Sequence, residues 1–178
     1  MTRLHVLALP AVLAAAATAH ATTYHTVEGV QKACFPSATR FESADVRLTR
    51  DQMKAIERES GVRVRTETQK VWRALKGTEF LGWLLVDEVI GKHEYITYAL
   101  ALDPAGGVSS VEIMEYRENY GYEVRNADWR LQFRGRKPGT PVRLGQEIRN
   151  ISGATLSCRH VTEGVQRLLT LHALVLNK

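Results

Sequence analysis

Two cysteines in 178 residues, Cys34 and Cys158, are too few for a disulfide-stapled scaffold. No Cys-x-x-Cys-His haem signature exists, and His25, His160 and His172 form no metal-ligand pattern with either thiol, so neither haem nor metal is expected. There is no Gly-x-Ser-x-Gly elbow or other hydrolase motif, no internal repeat, no low-complexity tract and no proline-rich linker among the five prolines. Beyond the N-terminal segment no apolar run is long enough to cross a bilayer. A formal charge of +5 is mild, and without an RNA or DNA motif it gives no ground for nucleic-acid binding.

Residues 1–21 carry Arg3, an apolar stretch from Val6 to Ala19 interrupted by Pro10, and Ala19-His20-Ala21 as a small-x-small cleavage site. That order predicts a secretory signal peptide, with residues 22–178 left as one compact domain that is not stably inserted in the membrane. The expected location is periplasmic or otherwise exported. Export would permit Cys34 and Cys158 to pair, but a disulfide, two buried thiols and a redox-active pair all stay open from sequence.

Along the domain, Val27, Val30 and Cys34 suggest a short helix ending near Pro36. Thr49-Arg50-Asp51-Gln52 has the form of a capping box opening a helix that runs to Gly61. Residues 62–77 give weaker strand signals at Val62, Val64, Thr66, Val71, Trp72 and Leu75. Phe80 to Val89, Tyr95 to Leu102 and Val108 to Met114 read as a β-meander, with Ala105-Gly106-Gly107 as a turn. Strands in the middle and helices at both ends predict an α+β fold: a single domain with a central twisted antiparallel sheet flanked by N- and C-terminal helices.

The densest signal is Ser152-Gly153-Ala154-Thr155-Leu156-Ser157, which leads into an amphipathic segment with apolar residues at Val161, Val165, Leu168 and Leu169. A helix N-terminus presents unpaired N–H groups and the positive end of its dipole, so this loop suits a phosphate. Gly153 and Ala154 allow close approach, Thr155 offers a hydroxyl, and Ser152 and Ser157 offer hydrogen bonds.

This string resembles the flavinylation motif of FMN-binding domains of the NqrC and RnfG type. The wider order supports the resemblance: a strand opening at Gly91-Lys92-His93-Glu94-Tyr95-Ile96, a returning strand to Tyr116, the loop Glu118-Asn119-Tyr120-Gly121, and Trp129, Phe133 and Gly135 before the loop. The resemblance covers roughly residues 80 to 175 and implies FMN held covalently as a phosphoester on Thr155, installed by a dedicated FAD:protein FMN transferase. It further implies flavin contacts at Glu118, Tyr120 and Gly121, and His93 is a possible proton or hydrogen-bond donor to the ring. Two departures are present: Arg149 stands where the transferase motif has Asp, and Asn119-Tyr120 stand where larger members have Thr-Pro.

The function this implies is an electron-transfer module between a membrane or periplasmic redox partner and a downstream acceptor. The alternatives are a small flavin-dependent reductase and a flavin-free binding or assembly module on the same scaffold. Between Arg125 and Arg149, seven basic residues face only Asp128 and Glu147, a run that could steer an acidic partner or stabilise reduced flavin. A solvated surface is the favoured reading of that run, as core packing is of Trp129.

Overall fold

The computed structural model describes residues 22–177; the signal-peptide reading of residues 1–21 lies outside them. The elements run β1 (Thr22–Thr23), α1 (Val27–Cys34), β2 (Arg40–Ser43), β3 (Val46–Arg47), α2 (Arg50–Ser60), β4 (Thr68–Lys76), β5 (Glu79–Ile90), β6 (Tyr95–Leu102), β7 (Val108–Tyr116), a 3-10 turn (Tyr122–Arg125), α3 (Ala127–Leu131) and α4 (Thr155–Leu171). A π-helical turn, His172–Leu176, ends the last helix. The strands form one antiparallel sheet in the order β1-β7-β6-β5-β4-β2, with β3 also paired to β4. This is the α+β domain expected.

Alternation along the strands sorts the two faces. In β6, Ile96, Tyr98, Leu100 and Leu102 pack with Val161, Val165 and Leu168 of α4 and Ile56 of α2. Ala99 and Ala101, which point the other way, pack with Val30 and Phe35 of the α1 region. Large residues thus face the long helix and small ones the short helix.

Local chemistry explains the helix ends. Thr49 and Gln52 form both bonds of the capping box, and Gly61 closes α2 in the left-handed conformation at φ 71°. Thr26 caps α1 by accepting from the Gly29 amide at 3.1 Å. Gly164 lets α4 press onto the sheet, since a Cβ there would lie 2.3 Å from the Tyr98 hydroxyl. Beneath that contact, Arg167 and Asp87 form an ion pair with side chains 8% and 9% exposed, and the Tyr98 hydroxyl donates to Asp87 at 2.7 Å.

One expectation is corrected and two open ones are decided. Residues 62–66 are not a strand but a loop that packs Val64 inward, with its amide held by Glu57 at 2.8 Å. Cys34 and Cys158 are free thiols that sit in separate clusters on opposite faces of the sheet, so the chain brings them to no common site. Burial pushes the Cys34 thiol up to about 11 and raises Cys158 as well, which makes both poor nucleophiles. The basic run is dispersed by folding rather than pooled. Arg130 pairs with Glu112, Arg143 pairs with Glu147 at 3.1 Å, and Arg125 lies 3.5 Å over the Tyr24 ring.

His172 is 2% exposed, packs edge-on to Trp83, and has no partner for Nδ1. Burial lowers its pKa from the ordinary 6.5, with Asp103 opposing that shift. The unfolded chain therefore binds the proton more readily, and the stability from neutral His172 is complete above pH 6.5 and is lost as pH falls below it. We expect an acid limb with a slope of at most about 1.4 kcal/mol per pH unit in urea titrations, shallower in His172→Phe.

Candidate functional site

The site is assembled where β7, its following loop and the start of α4 meet. Thr155 is the first residue of α4, exposed, and its Oγ1 accepts from Asn150 Nδ2 at 2.9 Å. The residue before it, Ala154, has no side chain able to cap, and no acidic residue stands in the first turn. The leading amides of α4 are therefore left without a side-chain acceptor. Gly153 is in the left-handed region at φ 85°, and the space where a Cβ would stand is open. Ser152 is exposed beside it.

The approach to Thr155 is braced from behind. Trp129, 4% exposed, donates its indole N–H to the Arg149 carbonyl at 2.7 Å, and the Arg149 amide donates to Gln132 Oε1 at 2.9 Å. Trp129 is thus a core residue that fixes the residues before the loop. Arg149 supplies backbone groups to this brace whatever its side chain does.

The second loop is locked to the helix. Gly121, at φ 87°, lies so close that a Cβ would be 2.7 Å from the Tyr116 hydroxyl and 2.8 Å from Ser157 Oγ. Tyr116 donates to the Tyr120 carbonyl at 2.5 Å and shares a 2.9 Å hydrogen bond with Ser157. Burial pushes the Tyr116 hydroxyl up to about 12, so it stays protonated. The Ser157 side chain is buried in this network, which takes its hydroxyl out of the set expected to bond a phosphate. The Tyr120 ring is 84% exposed beside the site, and Leu156 at the helix entry is 39% exposed.

Glu118 and His93 have a structural engagement with each other. The Glu118 carboxylate accepts from the amides of His93 and Glu94, the latter at 3.0 Å, and so closes the β5–β6 hairpin turn. These amide bonds and nearby His93 outweigh desolvation and hold the Glu118 carboxyl below its ordinary range. His93 is exposed at that turn. His160 of α4 completes the junction through a 3.1 Å contact between Nδ1 and the Gly91 carbonyl. Sequence reasoning missed His160 and Asn150, because each acts on a partner that only folding brings near.

Glu118→Ala would leave these hairpin amides without their acceptor. We expect a stability loss of about 1–2 kcal/mol by chemical denaturation. If the turn is its main role, any flavin attached at Thr155 should be retained by mass.

Residues 91–170 match the model of the FMN-binding domain family. That segment, which spans the hairpin turn, the Gly121 loop and Thr155, is similar to the FMN-binding domain family. A crystal structure of Shewanella oneidensis NqrC is similar at TM-score 0.48 and 14% identity, covering 80% of this chain and 70% of that one. Among curated proteins none matches.

The residues present fit the phosphate of FMN. An uncapped helix start, an open glycine and an exposed hydroxyl form a donor-rich corner with no acidic residue in the helix's first turn. Among the described residues no group of three or more histidine, cysteine or acidic side chains could hold a metal ion, and no helix is long and apolar enough to cross a membrane.

Proposed function

We propose that this chain is an exported flavoprotein that carries FMN as a phosphoester on Thr155 and relays electrons between a membrane or periplasmic redox partner and a downstream acceptor. The observation that carries this reading is the exposed Thr155 hydroxyl at the uncapped start of α4, inside the segment matching the FMN-binding domain. Bound FMN supplies reversible one- or two-electron chemistry. The protein supplies the rest. Asn150 orients the Thr155 oxygen, the first amides of α4 face the phosphate, and the Gly121–Tyr116–Ser157 lock keeps the neighbouring loop from drifting.

Covalent attachment has a physical rationale in an exported protein, because a dissociating cofactor would be diluted outside the cell and not replaced. A phosphoester removes dissociation while leaving the ring's electronics to its surroundings. A FAD:protein FMN transferase is the maturation partner this reading requires. Two features bear on it: Arg149 replaces the acidic residue of the transferase motif, and the site itself is accessible.

The test is co-production of the full chain with such a transferase, followed by intact mass. The expected result is a gain equal to FMN less water. A folded, exported chain that gains nothing with several transferases would favour the flavin-free module.

A further inference from the structure

β5 is paired on both sides as far as Val86, where its register with β4 ends at Lys70, and it then continues to Ile90 beside β6 alone. Across the hairpin the Gly91 amide donates to the Glu94 carbonyl at 2.7 Å, so by alternation the odd-numbered residues of β5 turn their backbone groups to β6. The even-numbered ones turn the other way, and accordingly Gln69 Nε2 donates to the Val86 carbonyl from the β4 side at 2.7 Å. The N–H and C=O groups of Glu88 and Ile90 therefore face outward beyond the end of β4, with no backbone partner there among the described residues. They open onto a half-open cleft of about 900 Å³, walled by α4, the loop after α2 and residues 142–144.

The cleft's charges are unevenly matched. Arg167 is held by Asp87, Lys70 by Asp45 and Arg143 by Glu147, while Glu88 accepts from the Thr97 hydroxyl at 3.0 Å and lies 3.8 Å from Arg117. That leaves the exposed Arg63, Arg65 and Arg159 against Glu163, none of the four in an ion pair among the described residues. We infer that this cleft docks an extended acidic segment of a partner protein, which adds as a short strand to β5 at Glu88 and Ile90. Main-chain bonds hold such a strand, and alternate side chains select it. Val89 packs toward α4, so the added strand meets Arg159 on that face. On the opposite face stand Ile90 and its register partner Tyr95, 37% and 52% exposed, which suit apolar side chains. Two residues' worth of backbone groups is too little to hold a strand alone, so the unmatched arginines steer and select the partner. No residue of the 152–157 loop lines the cleft, and the inference is independent of FMN attachment.

The experiment titrates the isotopically labelled full chain with a short capped peptide of alternating glutamate and valine, followed by amide shifts and hydrogen exchange. Two further peptides are compared: one with lysine in place of glutamate, and the acidic one N-methylated throughout, which keeps its charge but cannot pair as a strand. Expected with the acidic peptide are shifts of the Glu88 and Ile90 amides and a several-fold slowing of their exchange, which the other two peptides do not produce. Arg63→Glu with Arg159→Glu, its folding checked by melting, should bind the acidic peptide several-fold more weakly. No response of Glu88 and Ile90 at any peptide concentration would overturn the inference. So would an equal response to the N-methylated peptide, which marks a site for carboxylates rather than for a strand. Protection of the two amides that grows with chain concentration, without peptide, would make the occupant a second copy and overturn the acidic partner.

Discussion

Thr155→Ala is expected to abolish the FMN mass gain and the yellow colour while leaving the melting temperature close to that of the wild-type chain. The hydroxyl is exposed and its one side-chain partner is Asn150, at 2.9 Å and itself at the surface, so its removal costs the fold little. Chemistry and stability are therefore separable at this position. Thr155→Ser keeps an oxygen at the helix start and is the informative companion, since any regained mass shows that the transferase needs the hydroxyl rather than the methyl. A Thr155→Ala protein that still gains the full mass would place the ester elsewhere and remove Thr155 from its role. Ser152, exposed two residues before Ala154, would then be the first position to replace.

The largest effect on stability should come from the interior pair under α4. Asp87→Ala leaves Arg167 charged, 8% exposed and without its carboxylate, and it also takes the acceptor from the Tyr98 hydroxyl. Removing one partner of a buried pair costs about 3–5 kcal/mol, far more than any surface pair here. Replacing both charges, Asp87→Leu with Arg167→Met, should recover most of that loss because no uncompensated charge remains. Urea denaturation of the two variants beside the wild-type chain checks this. Equal losses in the single and double variants would mean that α4 is held by the pair's attraction itself rather than harmed by an orphaned charge.

Local signals in this chain were readable and tertiary ones were not. The Thr49–Gln52 capping box depends on four adjacent residues, and it forms both of its bonds. The meander from Phe80 to Met114 was legible because its strands alternate or run apolar over many residues, and β5, β6 and β7 pair in that order. Thr155 as a helix start followed from Gly153 and the periodicity behind it. By contrast, Arg40-Phe41-Glu42-Ser43 carries almost no strand signal and becomes β2 only because β4 offers it a partner. Val62 and Val64 have β-favouring side chains, but Val64 is used to cover the core from a loop. The basic run read as a solvated surface, but its pairing was hidden because Glu112, which takes Arg130, lies outside it in sequence. The cleft draws its walls from residues near 63, 88, 143 and 163, a convergence no local window contains.

The sheet's proportions have a consequence for life at high concentration. Its longest strand, β5 with twelve residues, is central and hydrogen-bonded on both sides, while the outer positions are taken by β1 with two residues and β2 with four. Long flat edges are templates on which copies of a chain add strand to strand, and very short edge strands deny them that register. Arg125 stacked on Tyr24 keeps the chain beside β1 pinned just after its two pairing residues. On the β7 side the rest of the edge is met by the chain after α3, where Gly135 and Arg136 bond the Val108 backbone and Arg130 donates to the Val111 carbonyl, so little of it is left open to a second copy.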